Sequence, residues 1–243
     1  MKISAHYIIG AFLIVLLAAY LYPRAEPKEI LLSFDTESVD GQDVLMILGL
    51  LEKMDVKATF FMTGEYADQY PEIADQIAEN NEVACHSYDH PRMSKITREE
   101  KEEQIEKCIK AIEKATGKRP IGFRAPYHDI DKETVEVLKE NGFEYDASTI
   151  ENWGISFPEV KMTEVKISSY GLFPMSDVIL RYYLKMPKSI YLHLMTSIQQ
   201  ETISLSFHPH HAVKLLEEIE ETITYYQDIG TEFKTHSEYL NLS

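Results

Sequence analysis

The chain has 243 residues, room for one large domain or two small ones at about 150 residues each. Apolar residues make up 44% and charged residues 26%, a composition that buries a sizeable core and excludes disorder as the main state. Acidic residues outnumber basic ones 40 to 24, and the formal charge of −16 repels phosphate backbones, which excludes nucleic acid as an expected partner.

Tyr7 to Tyr22 is an uncharged apolar run of 16 residues, YIIGAFLIVLLAAYLY, with Lys2 in front of it. As a helix it would measure roughly 24 Å against a hydrocarbon core of about 30 Å, so a short anchor and a signal peptide both fit. Ala18 and Ala19 are adjacent rather than alternate, so no good cleavage site appears. Residues 1–25 are therefore read as an uncleaved hydrophobic helix holding the protein to a membrane through residues 7–22, and residues 26–243 as the folded domain that follows.

After Pro23, short apolar strands alternate with amphipathic helices. Glu29–Phe34 reads as a strand, Asp43–Met54 as a helix, Lys57–Met62 as a strand, Pro71–Asn80 as a helix and Glu82–Cys85 as a strand. Thr97–Thr116 is the best-marked helix: Thr97 and Glu100 are spaced as a capping box, Gly117 stops it, and Ile105, Cys108, Ile109 and Ile112 share one face. Cys108 is thus expected in the core, and Cys85, at the end of an apolar strand, is expected to pack there too. A strand at Ile121–Phe123, a helix at Lys132–Asn141 stopped by Gly142, and a strand at Phe143–Tyr145 follow. Residues 155–200 break the rhythm and read as an insertion over one face. Ser204–Phe207 is a late strand, His211–Asp228 a helix with a stripe at Ala212, Leu215, Leu216, Ile219 and Ile223, and Glu232–Lys234 a last strand. Strands separated by helices imply a parallel sheet, and seven or so units suggest an α/β architecture closed into a distorted (β/α) barrel of seven or eight mostly parallel strands; an open doubly wound sheet is the alternative.

Polar residues cluster just past the strands: Asp35 and Glu37 after the first, His86 and His90 after the third, Arg124 after the fourth, Asp146 after the fifth and His208 after a late one. In parallel α/β folds that rim is where active sites assemble, and core packing does not demand charge there. His86 and His90 are four apart in HSYDH, close enough for two imidazoles to converge on one ion. Asp35 and Glu37 are two apart, so both point to one face if the strand runs that far, one free to bind metal while the other handles a proton. One carboxylate and two imidazoles make an open three-ligand site. Asp89, His210 and His211 read as caps or solvated groups, the acid-rich stretch Glu99–Glu106 as a helix face, and His128 as a possible border of the cleft.

The ordered motifs resemble the polysaccharide deacetylase family over about Glu29 to Leu240. SFDTE at 33–37 stands at the family's Phe-Asp-Asp signature, ATFFMTG at 58–64 at its second strand, and HSYDHP at 86–91 at His-Ser-x-x-His-Pro. FRAPY at 123–127, YDAS at 145–148 and LSFH at 205–208 match its Arg-x-Pro, Asp and Leu-x-x-His motifs. The resemblance implies a distorted barrel and a divalent ion, expected to be zinc, held by Glu37, His86 and His90. It implies Asp35 as the base with Arg124 as its ion-pair partner, a Tyr127 backbone N–H for the oxyanion, and His208 as the acid, oriented by Asp146. The usual metal-binding Asp after the base is Thr36 here, which assigns the ligand carboxylate to Glu37. His128 replaces a frequent Gly, and the only Trp, Trp153, lies further on than the usual one.

The implied reaction is removal of N-acetyl or O-acetyl groups from an oligo- or polysaccharide by a membrane-anchored enzyme whose domain lies outside the cytoplasm. Two competing readings are an amidohydrolase of a small cyclic amide or ureide, which a closed pocket would favour, and a catalytically silent carbohydrate-binding protein on the membrane.

Overall fold

Alternation along β1 (Glu29–Thr36) organises the fold. Ile30, Leu32 and Phe34 belong to the main core, whereas Leu31 belongs to a second apolar cluster with Phe61, Ala84, Tyr145, Ala147 and Val165. Successive side chains leave a strand on opposite faces, so β1 is buried on both, as strands in parallel sheets are. The computed structural model describes residues 27–170, 173–177, 187–198 and 200–242. Residues 7–22, read as the hydrophobic helix, lie outside them, and no helix among the described residues is long and apolar enough to cross a membrane.

The other strands of the main sheet are β2 (Thr59–Met62), β3 (Glu82–Cys85), β4 (Gly122–Phe123), β5 (Tyr145–Asp146), β6 (Thr163–Glu164), β9 (Thr202–Phe207) and β10 (Glu232–Lys234). Every pairing among these eight strands is parallel. The order runs β10-β1-β2-β3-β4-β5-β6, with β9 also on β1. β10 pairs with residues 29–31 of β1 and β2 with residues 33–36, while β9 follows residues 29–34. Between β6 and β9 no ladder forms among the described residues. Ser168 N–H donates to the Ser204 carbonyl at 3.0 Å and Ser206 N–H to the Met175 carbonyl at 3.1 Å, bridging the gap. The sheet is therefore a curled, distorted barrel with a seam, rather than the open doubly wound alternative.

The helices are α1 (Gly41–Met54), α2 (Gly64–Gln69), α3 (Pro71–Asn80), α4 (Arg98–Thr116), α5 (Lys132–Glu140), α6 (Lys188–Met195), α7 (Pro209–Ala212), α8 (Leu216–Asp228) and α9 (His236–Tyr239). α4 starts at the expected capping box of Thr97 and Glu100 and ends at Gly117 with φ 68°. The single helix expected at His211–Asp228 is two. The chain turns at Leu215 (φ −127°, ψ 17°), yet Ala212 and Leu215 are both buried, so the apolar spacing survives the break. Residues 155–200 are more than a cover: they supply β6, an antiparallel hairpin of β7 (Ser169–Tyr170) and β8 (Phe173–Pro174), and α6.

Cys85 and Cys108 are both in the core, and they are joined as a disulfide with Cα atoms 6.2 Å apart. The bond ties the end of β3 to α4. Two cysteines read from spacing as separate packing residues are adjacent because α4 lies against β3. At Gly122 any Cβ would meet the Tyr145 ring at 2.0 Å, so the barrel interior has room for the aromatic only because this position has no side chain.

Candidate active site

The inward parity of β1 runs Leu31, Ser33, Asp35, and the next residue on that face, just past the strand, is Glu37. Thr36 falls on the other parity: it is fully buried, and its hydroxyl donates to the Phe34 carbonyl at 3.3 Å. On β3 the inward Ala84 is followed by His86. The period of two thus places one carboxylate pair and one imidazole on the carboxyl-end rim.

Arg124 follows β4 and is fully buried beneath this rim. Its Nη1 donates to Asp35 Oδ1 at 2.6 Å, to Ser33 Oγ at 2.9 Å and to Ser206 Oγ at 3.3 Å, its Nε donates to the Ala147 carbonyl at 2.9 Å, and its guanidinium lies 3.9 Å from the Phe61 ring centre. Burial alone would raise the Asp35 pKa. Arg124 first, together with His86, His208 and His128, outweighs it and holds the carboxyl well below the usual carboxylate range.

His86 Nδ1 donates to the Arg124 main-chain carbonyl at 2.7 Å, which leaves Nε2 as the lone-pair nitrogen. Burial pushes its pKa down to about 4, so it is a neutral imidazole at physiological pH. His90 reaches the same place from a loop with two left-handed residues, Ser87 (φ 63°) and His90 (φ 65°). That conformation is costly for side chains other than Gly and persists where surroundings over-determine it. Here Gly64 N–H and Glu65 N–H donate to the carbonyls of Ser87 and Tyr88, Gln104 Oε1 accepts from the Tyr88 and Asp89 amides, and Ser87 Oγ accepts from His90 N–H. Asp89 is used up in this support, accepting from Gln104 Nε2 at 2.9 Å. His90 Nε2 is in close contact with Glu37 Oε2. Burial would raise the Glu37 pKa, but the hydrogen bond and charge of His90 bring it below the ordinary glutamate value.

One donor atom from each of Glu37, His86 and His90 lies within 4.8 Å of the others. Two imidazoles, that of His86 with its second nitrogen already fixed by a carbonyl, and one carboxylate fit a divalent ion of the zinc type with positions left open.

His208 stands across the cleft, its Nε2 4.0 Å from Glu37 Oε1. The expectation that Asp146 orients it is overturned. Asp146 is bonded to the hydroxyl and the N–H of Ser148, two residues on, and burial pushes its pKa up to about 7. The carboxylate bonded to His208 is Asp177, which accepts from Nδ1 at 3.1 Å and from the His208 N–H at 2.7 Å. Burial would lower the His208 pKa; the Asp177 bond and charge, with the charges of Asp35 and Glu37, outweigh it and raise it to about 9. Asp177 arrives from the irregular segment at the seam, beside the Ser176–Ser206 bridge, and carries no motif that the sequence alone would single out.

The cleft has a volume of about 730 Å³ and is lined by Asp35, Glu37, His86, His90, His208 and a wall that includes Tyr127, His128 and Trp153. Tyr127 (φ 57°) is 56% exposed and Trp153 45%, so the cleft opens between aromatic surfaces. The Tyr127 ring sits 4.6 Å from the His90 ring and under the Arg92 guanidinium at 4.4 Å. His128 borders the cleft with Nδ1 bonded to the Ser148 carbonyl at 3.0 Å.

A family model described as polysaccharide deacetylase matches residues 23–145. Among curated proteins, the chain is similar to a peptidoglycan-N-acetylglucosamine deacetylase of Bacillus cereus, 32% identical over 147 residues covering 56% of this chain and 52% of that protein. It is also similar to a peptidoglycan deacetylase-like protein of Gibberella zeae, 34% identical over 105 residues covering 42% of this chain and 31% of that one. The chain thus spans about half or less of these relatives. Among solved structures it resembles a CE4 family pseudoenzyme from Bacillus anthracis (TM-score 0.68, 22% identity, 89% of this chain and 66% of that chain). It likewise resembles a family 4 carbohydrate esterase from Streptomyces lividans in complex with acetate (TM-score 0.64, 20% identity, 87% and 93%). At these identities the structures speak for the fold, and activity has to be argued from the site.

Proposed function

Because the chain belongs to the polysaccharide deacetylase family, we propose that it is a metal-dependent hydrolase that removes N-acetyl groups from a glycan, with peptidoglycan-type chains as the substrate class. One observation carries this reading. A buried carboxylate kept ionised by Arg124, a Glu–His–His donor set and a carboxylate-backed imidazole face one another in a single cleft.

In this reading Glu37, His86 and His90 hold the ion, proposed to be zinc, which when bound lowers the pKa of water and polarises the acetyl carbonyl. Asp35 accepts the proton of the attacking water, with Arg124 keeping the carboxylate charged and aimed. His208 enters protonated, since its pKa is raised to about 9, and gives its proton to the departing amine. Asp177 fixes the ring and its Nδ1 tautomer. The Tyr127 N–H is assigned to the oxyanion, and the exposed Tyr127 and Trp153 rings offer apolar faces to sugar rings. A cleft that opens to solvent between these rings favours a chain substrate over a small cyclic amide.

For location, the Cys85–Cys108 disulfide supports the oxidising side of a membrane, and the apolar run at residues 7–22 supports an anchor there, with residues 26–243 as the catalytic domain. The test is mass spectrometry of acetylated oligosaccharides incubated with the metal-loaded protein: loss of acetyl groups, absent in Asp35→Asn, is expected, and an unchanged panel of chitin, peptidoglycan and xylan fragments would overturn the reading.

A further inference from the structure

His208 and His211 are three apart at the start of α7, where Pro209 occupies the first helical position, so both imidazoles lie on one side of a single turn. Asp177, fully buried, comes in from the seam between them. Its Oδ1 accepts from His208 Nδ1 at 3.1 Å, its Oδ2 accepts from His208 N–H at 2.7 Å, and the same Oδ2 is 3.7 Å from His211 Nδ1. One donor atom from each of Asp177, His208 and His211 lies within 4.8 Å of the other two, as also holds for Glu37, His86 and His90. Two imidazoles and a carboxylate are a donor set for borderline-soft divalent ions.

We propose that Asp177, His208 and His211 form a second, weaker transition-metal site whose filling silences the enzyme. The silencing half rests on the proposed role of His208 as the acid; the site itself does not. The order of filling follows from what each site must give up. At the first, an ion must also part the His90–Glu37 pair, but the Nδ1 proton of His86 already belongs to the Arg124 carbonyl and its opposite nitrogen is open to an ion. At the second, an ion takes the place of the proton shared between His208 and Asp177, so ion and shared proton exclude each other. His208 also stands 4.0 Å from Glu37, and charge at the first site disfavours charge at the second. Metal activation is therefore biphasic: turnover rises as the first site fills and falls as the second withdraws the acid from its orienting carboxylate.

The test is equilibrium dialysis of the chelator-stripped full chain against zinc, with bound metal counted by elemental analysis, beside turnover measured over the same zinc series. Wild type is expected to take up two ions, the second at least about tenfold more weakly, with turnover falling over the range of the second. His211→Asn should keep the first ion at unchanged affinity, lose the second, and show no fall from its own maximum at excess zinc. His211→Cys, which restores a zinc-binding atom, should regain the second ion and guards against a folding defect in the Asn variant. A single ion in wild type at about 100-fold excess zinc, or identical isotherms for wild type and His211→Asn, would overturn the site. Two ions with no fall in turnover would overturn the silencing. Because the isotherms need no substrate, they stand whether or not the chain proves to be a deacetylase.

Discussion

His86 and Arg124 are joined by a 2.7 Å hydrogen bond from the imidazole Nδ1 to the arginine's main-chain carbonyl, while the same arginine's side chain holds Asp35 at 2.6 Å. One residue therefore aims the proposed ligand imidazole through its backbone and the carboxylate through its guanidinium. The two functions separate by mutation. Arg124→Met keeps the carbonyl and is expected to retain metal, yet it leaves Asp35 as a buried carboxylate without its partner, a loss on the order of 3–5 kcal/mol. Adding Asp35→Asn should return part of that stability, read as non-additivity in denaturant unfolding. Asp35→Asn alone should keep metal and lower turnover by about 10²- to 10⁴-fold. Near-normal turnover would make Asp35 a structural residue.

Thr36 and Glu37 provide the test of register. The threonine hydroxyl is committed to the Phe34 carbonyl inside the core, whereas the glutamate lies within reach of both imidazoles. Glu37→Gln is expected to weaken zinc by at least about tenfold, an amide oxygen being a poorer ligand than a carboxylate. Thr36→Val should leave affinity within about twofold. Isothermal titration with zinc distinguishes them, and the reverse ranking would place the ligand one residue earlier.

The acid limb of the reaction should follow His208. Its pKa rises from 6.5 to about 9 in the fold because Asp177, with Asp35 and Glu37, outweighs burial, so the imidazolium persists through neutral pH and kcat/KM should decline above about pH 9. Replacing Asp177 with Asn removes the raising partner, and the decline should begin at lower pH. A raised folded pKa favours the folded state where the group is charged. The pair's contribution to stability is full below about pH 6.5 and is lost as pH climbs through about 9. Profiles of wild type and Asp177→Asn that superimpose would detach the limb from this pair.

The Cys85–Cys108 bond closes a loop with a sequence separation of 23, for which chain entropy gives about 3 kcal/mol. Cys85→Ser/Cys108→Ser should accordingly lower the melting temperature by roughly 6–12 °C in a protein of this size. The loop spans His86 and His90, so the variant also reports whether their placement needs the cross-link; zinc affinity measured below its melting point answers that. Two free thiols titrated in unfolded, unreduced protein would show that the bond does not form.

The residues legible in sequence are those whose position follows from local rules. Asp35, Glu37 and His86 are set by a period of two and a strand end, and α4 is set by Thr97, Glu100 and Gly117. Asp177 is illegible because nothing local distinguishes it: it meets His208 only when Ser168 and residues 175–176 have docked along β9. Asp146 misled for the complementary reason, since a carboxylate at a strand end has a serine two residues away to satisfy it. The disulfide was equally hidden. Cys85 and Cys108 each look like packing residues, and only the placement of α4 on β3 makes them neighbours. The break before α8 leaves no mark in the apolar spacing because Ala212 and Leu215 both stay buried.

The seam of the barrel gives the site two unequal lifetimes. Glu37, His86 and His90 are carried by strands and loops stitched through continuous parallel pairing. Asp177 is carried by a stretch pinned to β9 by a few isolated contacts, among them Ser168 to Ser204 and Ser206 to Met175. Local opening costs least where backbone bonds are few. Under mild denaturant or heat, amide protons at Ser168 and Ser206 should exchange before those of β2 and β3, so the molecule would lose its proton donor's alignment while still holding its ion. Inactivation would then precede both metal release and global unfolding, leaving a folded, metal-loaded and idle form.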